Sequence, residues 1–585
     1  MRKTKIVCTL GPACDDVKIM EKMLDAGMDV ARFNFSHGEH GEQAGRLKKI
    51  RALAKKTGRF IPCLLDTKGP EIRIGTFKGG TARLEAGQDF TLTTRRVQGG
   101  GAIVSVSYGE LPGDVMAGDR ILIDDGLIEL TVERVSDTDI VCRVVNGGVL
   151  GDKKGVNIPG IRLSLPYLAE KDRADILFGV QNQFEFIAAS FTRNAQDILD
   201  IKKILDDHGG NKTRIIAKIE NAEGVANIDD IMSISDGVMV ARGDMGVEIP
   251  LENVPVLQKR LINKAYKAGK IVITATQMLD SMMQNPRPTR AESTDVATAI
   301  YEGTSAVMLS GETAAGKYPV ESVETMARIV LRTESDIDYR KQFRKDAILE
   351  NTCNDVTTAI SHAACTTAYD LNASAIIAVT KTGVSARLVS KYRPAIPIIG
   401  SSPDPMVLNQ LNMSWGVIPL AMTEKKLTDE LFESAVSHAK ESGLVKDGDV
   451  VVITAGVPLG VSGTTNLLKV HMVGDVLVKG TGINKLCARA NLCVAHTEEE
   501  ARQNFRDGDI LAMNKTSNDI LDLIKRSAGV ITEKDGMESH AAIVGMALDK
   551  PVLVGAKGAT NILKSGTLIK LDAERGLVSI VKDKK

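Results

Sequence analysis

From the N-terminus to about residue 320, short apolar runs end in polar or glycine residues, and a segment of amphipathic helical period follows each run. The runs occupy 5–11, 30–38, 61–69, 184–192, 215–221, 237–246, 270–278 and 306–313. Their spacing of roughly 20–35 residues suits a repeated strand–helix unit. One long gap, from Gly69 to Phe184, breaks the rhythm. Eight such units predict an α/β fold: a (β/α)8 TIM barrel with a large insertion after its third strand. An open doubly wound sheet would show the same alternation.

The inserted stretch, 70–169, has another texture. It is rich in Gly, Val, Thr and Ile, it alternates apolar and polar residues through 121–135, and Asp125-Gly126 is a hairpin signal. This predicts a small all-β domain, hung where it can close over a barrel mouth as a lid. Beyond the eighth run, 320–365 reads as helical and polar. The segment 373–400 then reads strand, polar loop, helix, strand. Thr380, Lys381, Thr382, Gly383 and Ser385 lie just before its helix, where amides and hydroxyls suit a phosphate. A second glycine-rich turn falls within 449–470, and 528–555 again reads strand, loop, helix, strand, with His540 near the start of a helix over 541–546. The expected domains are 1–69 with 170–340 (barrel), 70–169 (lid), 341–473 (α/β) and 474–585 (a further α/β unit).

Composition narrows the function. Lys+Arg and Asp+Glu both number 74 in 585 residues. A net charge of zero speaks against bulk attraction to nucleic acid or to an anionic membrane. The 8 cysteines form no CxxC pair and read as reduced thiols. The opening apolar run is too short for a signal peptide, and no run approaches the ~18–20 apolar residues that span a bilayer. A soluble, cytoplasmic protein is expected.

Barrels carry their chemistry at the carboxyl ends of their strands. Here those ends are polar: Arg32, Asn34, Ser36 and His37; Asp66, Thr67 and Lys68; Lys218 and Glu220; Arg242 and Asp244; Thr274, Thr276 and Gln277; Ser310 and Glu312. Strand alternation puts Lys218 and Glu220 on one face. Glu220 and Asp244 suit Mg²⁺, which binds through one or two carboxylates and leaves positions for substrate oxygens. Arg32, Arg73 and Lys218 supply charge for phosphate oxygens. Asn34, Ser36, Asp66 and Thr67 are oxygen donors on adjacent strands, a set suited to a monovalent cation. No Cys/His cluster suggests zinc, and neither a P-loop nor a GxGxxG after the first strand is present. The residues alone lead to a Mg²⁺-dependent barrel enzyme acting on a small phosphorylated anion.

The stretches TKIVCTLGPA, DVARFNFSHG, LLDTKGPEIR, KKGVNIPG, IAKIENAEGVANID, MVARGDMGVEIP, ITATQMLDSMMQNPRPTRAE and VMLSGETAAGKYP resemble the pyruvate kinase family, across residues 1–470. The resemblance implies phosphoryl transfer from phosphoenolpyruvate to ADP, giving pyruvate and ATP in glycolysis. It implies Mg²⁺ (with Mn²⁺ as a substitute) and K⁺ as cofactors, and a homotetramer. It implies that Lys218 meets the phosphoryl group in flight and that Arg32 contacts the phosphate. Glu220 and Asp244 would hold Mg²⁺. The amides around Gly243 and Asp244 would hold the substrate carboxylate, and Thr276 would sit beside the enol. Arg73 and Lys153 would meet nucleotide phosphates. Asn34, Ser36, Asp66 and Thr67 would bind K⁺, with Glu71 accompanying potassium dependence. Phe33 stands where the family has leucine, on the opposite face from the chemistry. The 380–385 loop resembles the family's effector loop for sugar phosphates. Val384 replaces a basic residue common in members that use fructose bisphosphate, which points to a monophosphate such as AMP or ribose 5-phosphate.

The last segment resembles the phosphohistidine domain of phosphoenolpyruvate-utilising enzymes, an extension that some bacterial pyruvate kinases carry. Asp535 and Glu538 replace a glycine and the threonine of that motif, and their charges would repel a phosphate on His540. A structural or interface role is therefore expected. Two other readings stand beside the kinase: a Mg²⁺-dependent lyase or aldolase on the same barrel, and a phosphocarrier or regulatory scaffold built on His540.

Overall fold

The computed structural model describes residues 1–349, 355–425, 427–458 and 465–581. The chain forms two compact units. The first comprises 1–362, 378–421 and 460–465; the second comprises 363–377, 422–459 and 466–585. Both draw on the segment 341–473.

In the first unit all eight apolar runs become strands of one closed parallel barrel: β1 Lys5–Thr9, β2 Val30–Asn34, β3 Cys63–Asp66, β4 Phe186–Ala189, β5 Arg214–Ile219, β6 Gly237–Ala241, β7 Ile271–Ala275 and β8 Ala306–Leu309. Neighbours in sequence pair in space, and β8 returns to β1 with Lys5 opposite Ala306. The open sheet is thereby excluded. β3 and β4 pair directly, Leu64 opposite Phe186, although the whole insertion lies between them.

Alternation explains why the strands are apolar throughout. Val7, Val30, Leu64, Phe186, Ile216, Met239, Ile273 and Met308 fill the barrel interior. Their neighbours Ile6, Ala31, Leu65, Ile187, Ala217, Val240, Val272 and Val307 face the surrounding helices. Both faces are dry, so both parities must be apolar. The segment 412–417 packs at the barrel's amino end. Met413 joins the interior cluster, Asn412 Nδ2 donates to Asp29 O and Phe60 O, and Lys5 Nζ donates to Val417 O.

The insertion is all β apart from one short helix, Leu111–Asp114. Its main sheet has seven strands, with a separate pair formed by Gly148–Gly151 and Thr81–Leu84. The predicted hairpin is present, with Ile123 opposite Ile128 and with Asp124, Asp125 and Gly126 at positive φ. The first and last strands of the insertion, Ile72–Arg73 and Gly155–Asn157, pair with each other. The insertion has its own core of Phe90, Leu92, Ile121, Leu130, Ile140 and Val144.

Residues 384–421 supply two parallel strands, Ile398–Ser402 and Val417–Ala421, and the helix Val384–Lys391. In the second unit, Val450–Ala455 pairs antiparallel with Leu467–Met472. The second glycine-rich turn, 459–464, lies outside the described residues. An eight-stranded mixed sheet follows, whose strands lie between Val476 and Ile580. The helix expected over 541–546 spans His540–Ala547. Among the described residues no helix is long and apolar enough to cross a membrane.

Candidate active site

Where β1 to β5 leave the apolar layer, the inward parity continues for one or two more positions. The next inward residues are Thr9, Arg32, Asp66, Ser190, Lys218 and then Glu220. They form an open ring of contacts that runs from Thr9 to Glu220. Arg32 Nη1 donates to Thr9 Oγ1 at 2.9 Å and its Nε to Asp66 Oδ2 at 2.6 Å. Ser190 Oγ lies 3.0 Å from Asp66 Oδ1 and 2.7 Å from Thr67 O, two acceptors for its one proton. Lys218 Nζ donates to Ser190 Oγ at 2.7 Å and lies 3.1 Å from Asp66 Oδ1 and 2.9 Å from Glu220 Oε1. Asp66 and Glu220 are 0 % exposed, and Arg32 and Lys218 are under 10 %, at 8 % and 9 %.

Burial alone would depress the Lys218 pKa, but the Asp66 and Glu220 carboxylates outweigh it and hold the ammonium above its ordinary value. Burial would raise Asp66; Arg32 and Lys218 prevail and keep it below the usual carboxylate range. Glu220 goes the other way. Burial pushes it up to about 7, Lys218 opposes that push, and the Asp244 charge adds to it. Its Oε2 accepts from Phe191 N at 2.6 Å. Its Oε1 is buried without an aligned hydrogen bond, Lys218 Nζ standing by as an ion pair.

This donor set fits a divalent cation. The half-buried Asp244 charge is close enough to disfavour the ionised form of Glu220, whose Oε1 is held by the Lys218 ion pair and no aligned hydrogen bond. Among the described residues no three His, Cys, Asp or Glu converge as a protein-only metal cage. The monovalent set also fits. Asn34 lies opposite Asp66 across β2 and β3, and Asp66 Oδ2, with one donor, keeps a lone pair. Asn34 Oδ1 accepts from Ser36 N at 3.0 Å, and Thr67 Oγ1 accepts from Ser190 N at 3.2 Å.

The rim is built from unusual backbone. Phe191, Thr276 and Gln277 at the barrel mouth, and Lys153 in the insertion, all have positive φ. For a β-branched residue such as Thr276 (φ 67°) this conformation costs about 1–3 kcal/mol and needs external restraint. Arg242 provides it: Nη2 donates to Thr276 O at 2.7 Å, while Nη1 is anchored on Asp295 at 2.6 Å. Gly243 N donates to Thr276 Oγ1 at 2.8 Å, so this amide, expected to face a substrate carboxylate, is tied to the threonine. Gly69 turns the chain away from β3 at φ +73°, where a Cβ would stand 2.9 Å from Ser190.

A cleft of about 770 Å³ lies between the barrel mouth and the insertion, and Glu71, Arg73, Lys154, Phe191, Asp244 and Glu248 are among its lining residues. Lys154 is on that wall, paired with Asp124 at 2.8 Å. Lys153 is exposed, and its carbonyl accepts from Arg73 Nη1 at 2.7 Å. Arg73 Nη2 also pairs with Glu71 Oε1 at 2.6 Å.

Several polar strand ends prove to be clamps. Thr274 Oγ1 donates to Thr304 Oγ1, and buried Glu312 accepts from Leu279 N and Ser310 N. Sequence reasoning passed over Ser190 and Phe191, which join Lys218, Asp66 and Glu220 into one network. The signal was available: Ser190 is the first polar inward position after Phe186 and Ala188. At the loop 380–385, Gly383 has φ +82° and donates to Thr380 Oγ1, Ser385 bonds Thr465, and Arg387 and Arg214 both reach Thr382 O.

By fold and by the chemistry of its mouth, the first unit is a (β/α)8 enzyme made for a small anion. Family models describe 1–323 as the pyruvate kinase barrel domain, 358–471 as the pyruvate kinase alpha/beta domain and 505–576 as the mobile domain of PEP-utilising enzymes. The chain belongs to the pyruvate kinase family. It is 50% identical over 582 residues to a pyruvate kinase of Geobacillus stearothermophilus, covering 99% of this chain and 98% of that one. It is 48% identical over 580 residues to one from Sporosarcina psychrophila, covering 99% of each. A crystal structure of a pyruvate kinase from Cryptosporidium parvum superimposes with a TM-score of 0.77 at 41% identity, over 81% of this chain and 96% of that one. The protein is a glycolytic phosphotransferase that converts phosphoenolpyruvate to pyruvate, with ADP and ATP as the nucleotide pair. Family membership carries a requirement for a divalent and a monovalent cation.

Proposed function

We propose that the open ring at the ends of β1 to β5 is the phosphoryl-transfer centre, with Mg²⁺ at Glu220 and Asp244 and K⁺ at Asn34, Ser36, Asp66 and Thr67. Mn²⁺ would satisfy the same two carboxylates. The observation that carries this reading is the placement of Lys218, a buried, charged ammonium within 3.1 Å of Asp66 and 2.9 Å of Glu220. When bound, the divalent ion draws negative charge onto the enolate side, and the monovalent ion adds positive charge beside the phosphate. Arg32 and Lys218 orient the phosphoryl oxygens and stabilise charge as the P–O bond to the enol oxygen breaks and a new one forms to ADP. Their ring partners fix them beforehand, so little reorganisation is needed. The enolate left behind takes a proton at C3. Thr276 lies beside that carbon's path, and since its hydroxyl is a weak acid, a water passes the proton. Arg73 and Lys153 meet the nucleotide phosphates, with Lys154 on the same wall.

The finer organisation follows the same reading: four domains bounded at 69/70, 169/170, 340/341 and 473/474, a homotetramer, and a cytoplasmic location. Thr380, Lys381, Thr382, Gly383 and Ser385 receive the phosphate of an allosteric effector. ATP formation from phosphoenolpyruvate and ADP, with Mg²⁺ and with or without K⁺, tests the centre. Turnover should depend on K⁺ and collapse in Lys218→Met. Undiminished turnover without K⁺ removes the monovalent site, and an active Lys218→Met removes the role of Lys218.

A further inference from the structure

Arg193 Nη1 donates to Leu165 O at 3.0 Å and Tyr167 Oη to Ser190 O at 3.1 Å, and two side-chain pairs also join the insertion to the rim of the barrel beside the cleft. One, Arg162 with Glu223, spans 3.7 Å with the arginine side chain 83% exposed, and is weak. The other is better made. Asn157 Nδ2 donates to Glu248 Oε1 at 2.9 Å, and both residues line the cleft and are half-buried. Their positions matter more than the bond itself. Asn157 ends the strand Gly155–Asn157, which pairs with Ile72–Arg73, Gly155 opposite Arg73. Glu248 ends the helix Arg242–Glu248, which leaves β6 and carries Asp244 one turn earlier. Residues four apart share a helix face, roughly 6 Å along its axis. This hydrogen bond thus connects the strand pair holding Arg73 to the helix holding Asp244. Burial raises the Glu248 carboxyl above its ordinary pKa and the Asn157 bond opposes that shift, so the acid depends on this partner.

We infer that Glu248 is a positioning residue for phosphoryl transfer: by accepting from Asn157 it holds the insertion's return strand against the Asp244 helix and sets the separation of nucleotide and metal sides across the cleft. This rests on the roles proposed for Arg73 and Asp244. The function is geometric, so it should appear in nucleotide use more than in phosphoenolpyruvate use.

The test exchanges donor and acceptor in the full-length enzyme, with ADP and phosphoenolpyruvate varied separately. Asn157→Asp sets two carboxylates against each other and should raise KM for ADP about tenfold, leaving KM for phosphoenolpyruvate within about twofold. Combining it with Glu248→Gln lets the new amide donate to the new carboxylate, and KM for ADP should return to within about threefold of wild type. Asn157→Ala should give a smaller rise of the same kind, and replaces Asn157→Asp if that variant does not fold. An unchanged KM for ADP in these variants overturns the inference, as does a double variant no better than Asn157→Asp. A parallel rise in both KM values with a lower Tm also overturns it, because that marks general disruption. The rescue reads the tether itself. Arg73→Ala, which raises KM for ADP only if Arg73 binds nucleotide, reads the assignment beneath it.

Discussion

Burial on its own lowers a lysine's pKa by up to about 3–5 units, enough to threaten the charge that a phosphate contact needs. Lys218 escapes because two carboxylates lie within 3.1 Å and 2.9 Å. Removing it should leave buried Glu220 without its ion pair and Asp66 paired with Arg32. Lys218→Met should therefore lower kcat by at least about 10²–10³, the size of losing one preorganised donor, and also lower Tm. Steady-state rates and thermal unfolding check both. Glu220 offers a pH prediction. Its folded value of about 7 lies above the ordinary 4.5, so the folded, metal-free protein holds this proton more tightly than the unfolded chain. The stability it contributes is full below about 4.5 and is lost as pH rises through about 7. In chelator, the Tm of wild type should fall across that window relative to Glu220→Gln. Parallel curves for the two proteins would refute the assignment.

At the scale of the element, strand parity separates working charges from clamping charges. Arg32, Asp66, Lys218 and Glu220 fall on the inward parity that Val30, Leu64 and Ile216 define, and they meet. Arg242 and Thr274 fall on the outward parity of Val240 and Val272, and they brace loops instead. The sequence made the eight strands, the insertion and most of the ring legible through apolar period and polar strand ends. Arg242 and Glu312 stand in the sequence as polar strand ends with no assigned role, because a polar strand end alone does not reveal its direction. Ser190 was missed because an apolar run tailing into a serine looks like an ordinary strand exit. The 2.8 Å bond from the Gly243 amide to Thr276 could not be read either, since it depends on a threonine held at φ 67°. The helix Arg290–Tyr301 after β7 carries a capping box, Thr289 with Glu292, and Glu292 also accepts from Ser281 N and Oγ. Burial would raise the Glu292 pKa, but these hydrogen bonds outweigh it and hold it low. Glu292→Ala should cost about 1–2 kcal/mol by chemical denaturation. That difference should be full above the ordinary 4.5 and fade as pH falls through the depressed folded value. A constant difference down to strongly acid pH would count against it.

At the scale of the whole molecule, the second unit contains the histidine at the start of the helix His540–Ala547. Its Nδ1 pairs with Thr516 Oγ1 and its Nε2 with Asn518 Oδ1, both at 2.9 Å, and the preceding loop carries Asp535 and Glu538. We expect a ring engaged on both nitrogens, following a loop with two acids, to accept phosphate poorly. Incubation with radiolabelled phosphoenolpyruvate should leave no alkali-stable label, and His540→Ala should keep pyruvate formation within about twofold of wild type. Label lost specifically in that variant would reverse the conclusion. The insertion has a consequence for how the chain is made. Its end strands, Ile72–Arg73 and Gly155–Asn157, pair with each other, so a sheet that formed first would hold its two exits side by side. Once that sheet has formed, the tether between β3 and β4 is cut to roughly a third of its length, easing closure by about 1 kcal/mol. Pulse-labelled hydrogen exchange during refolding should protect amides of 128–135 and 139–146 before those of 64–66 and 186–188. On that outcome the insertion would serve during synthesis as a jig that brings the two halves of the barrel into register.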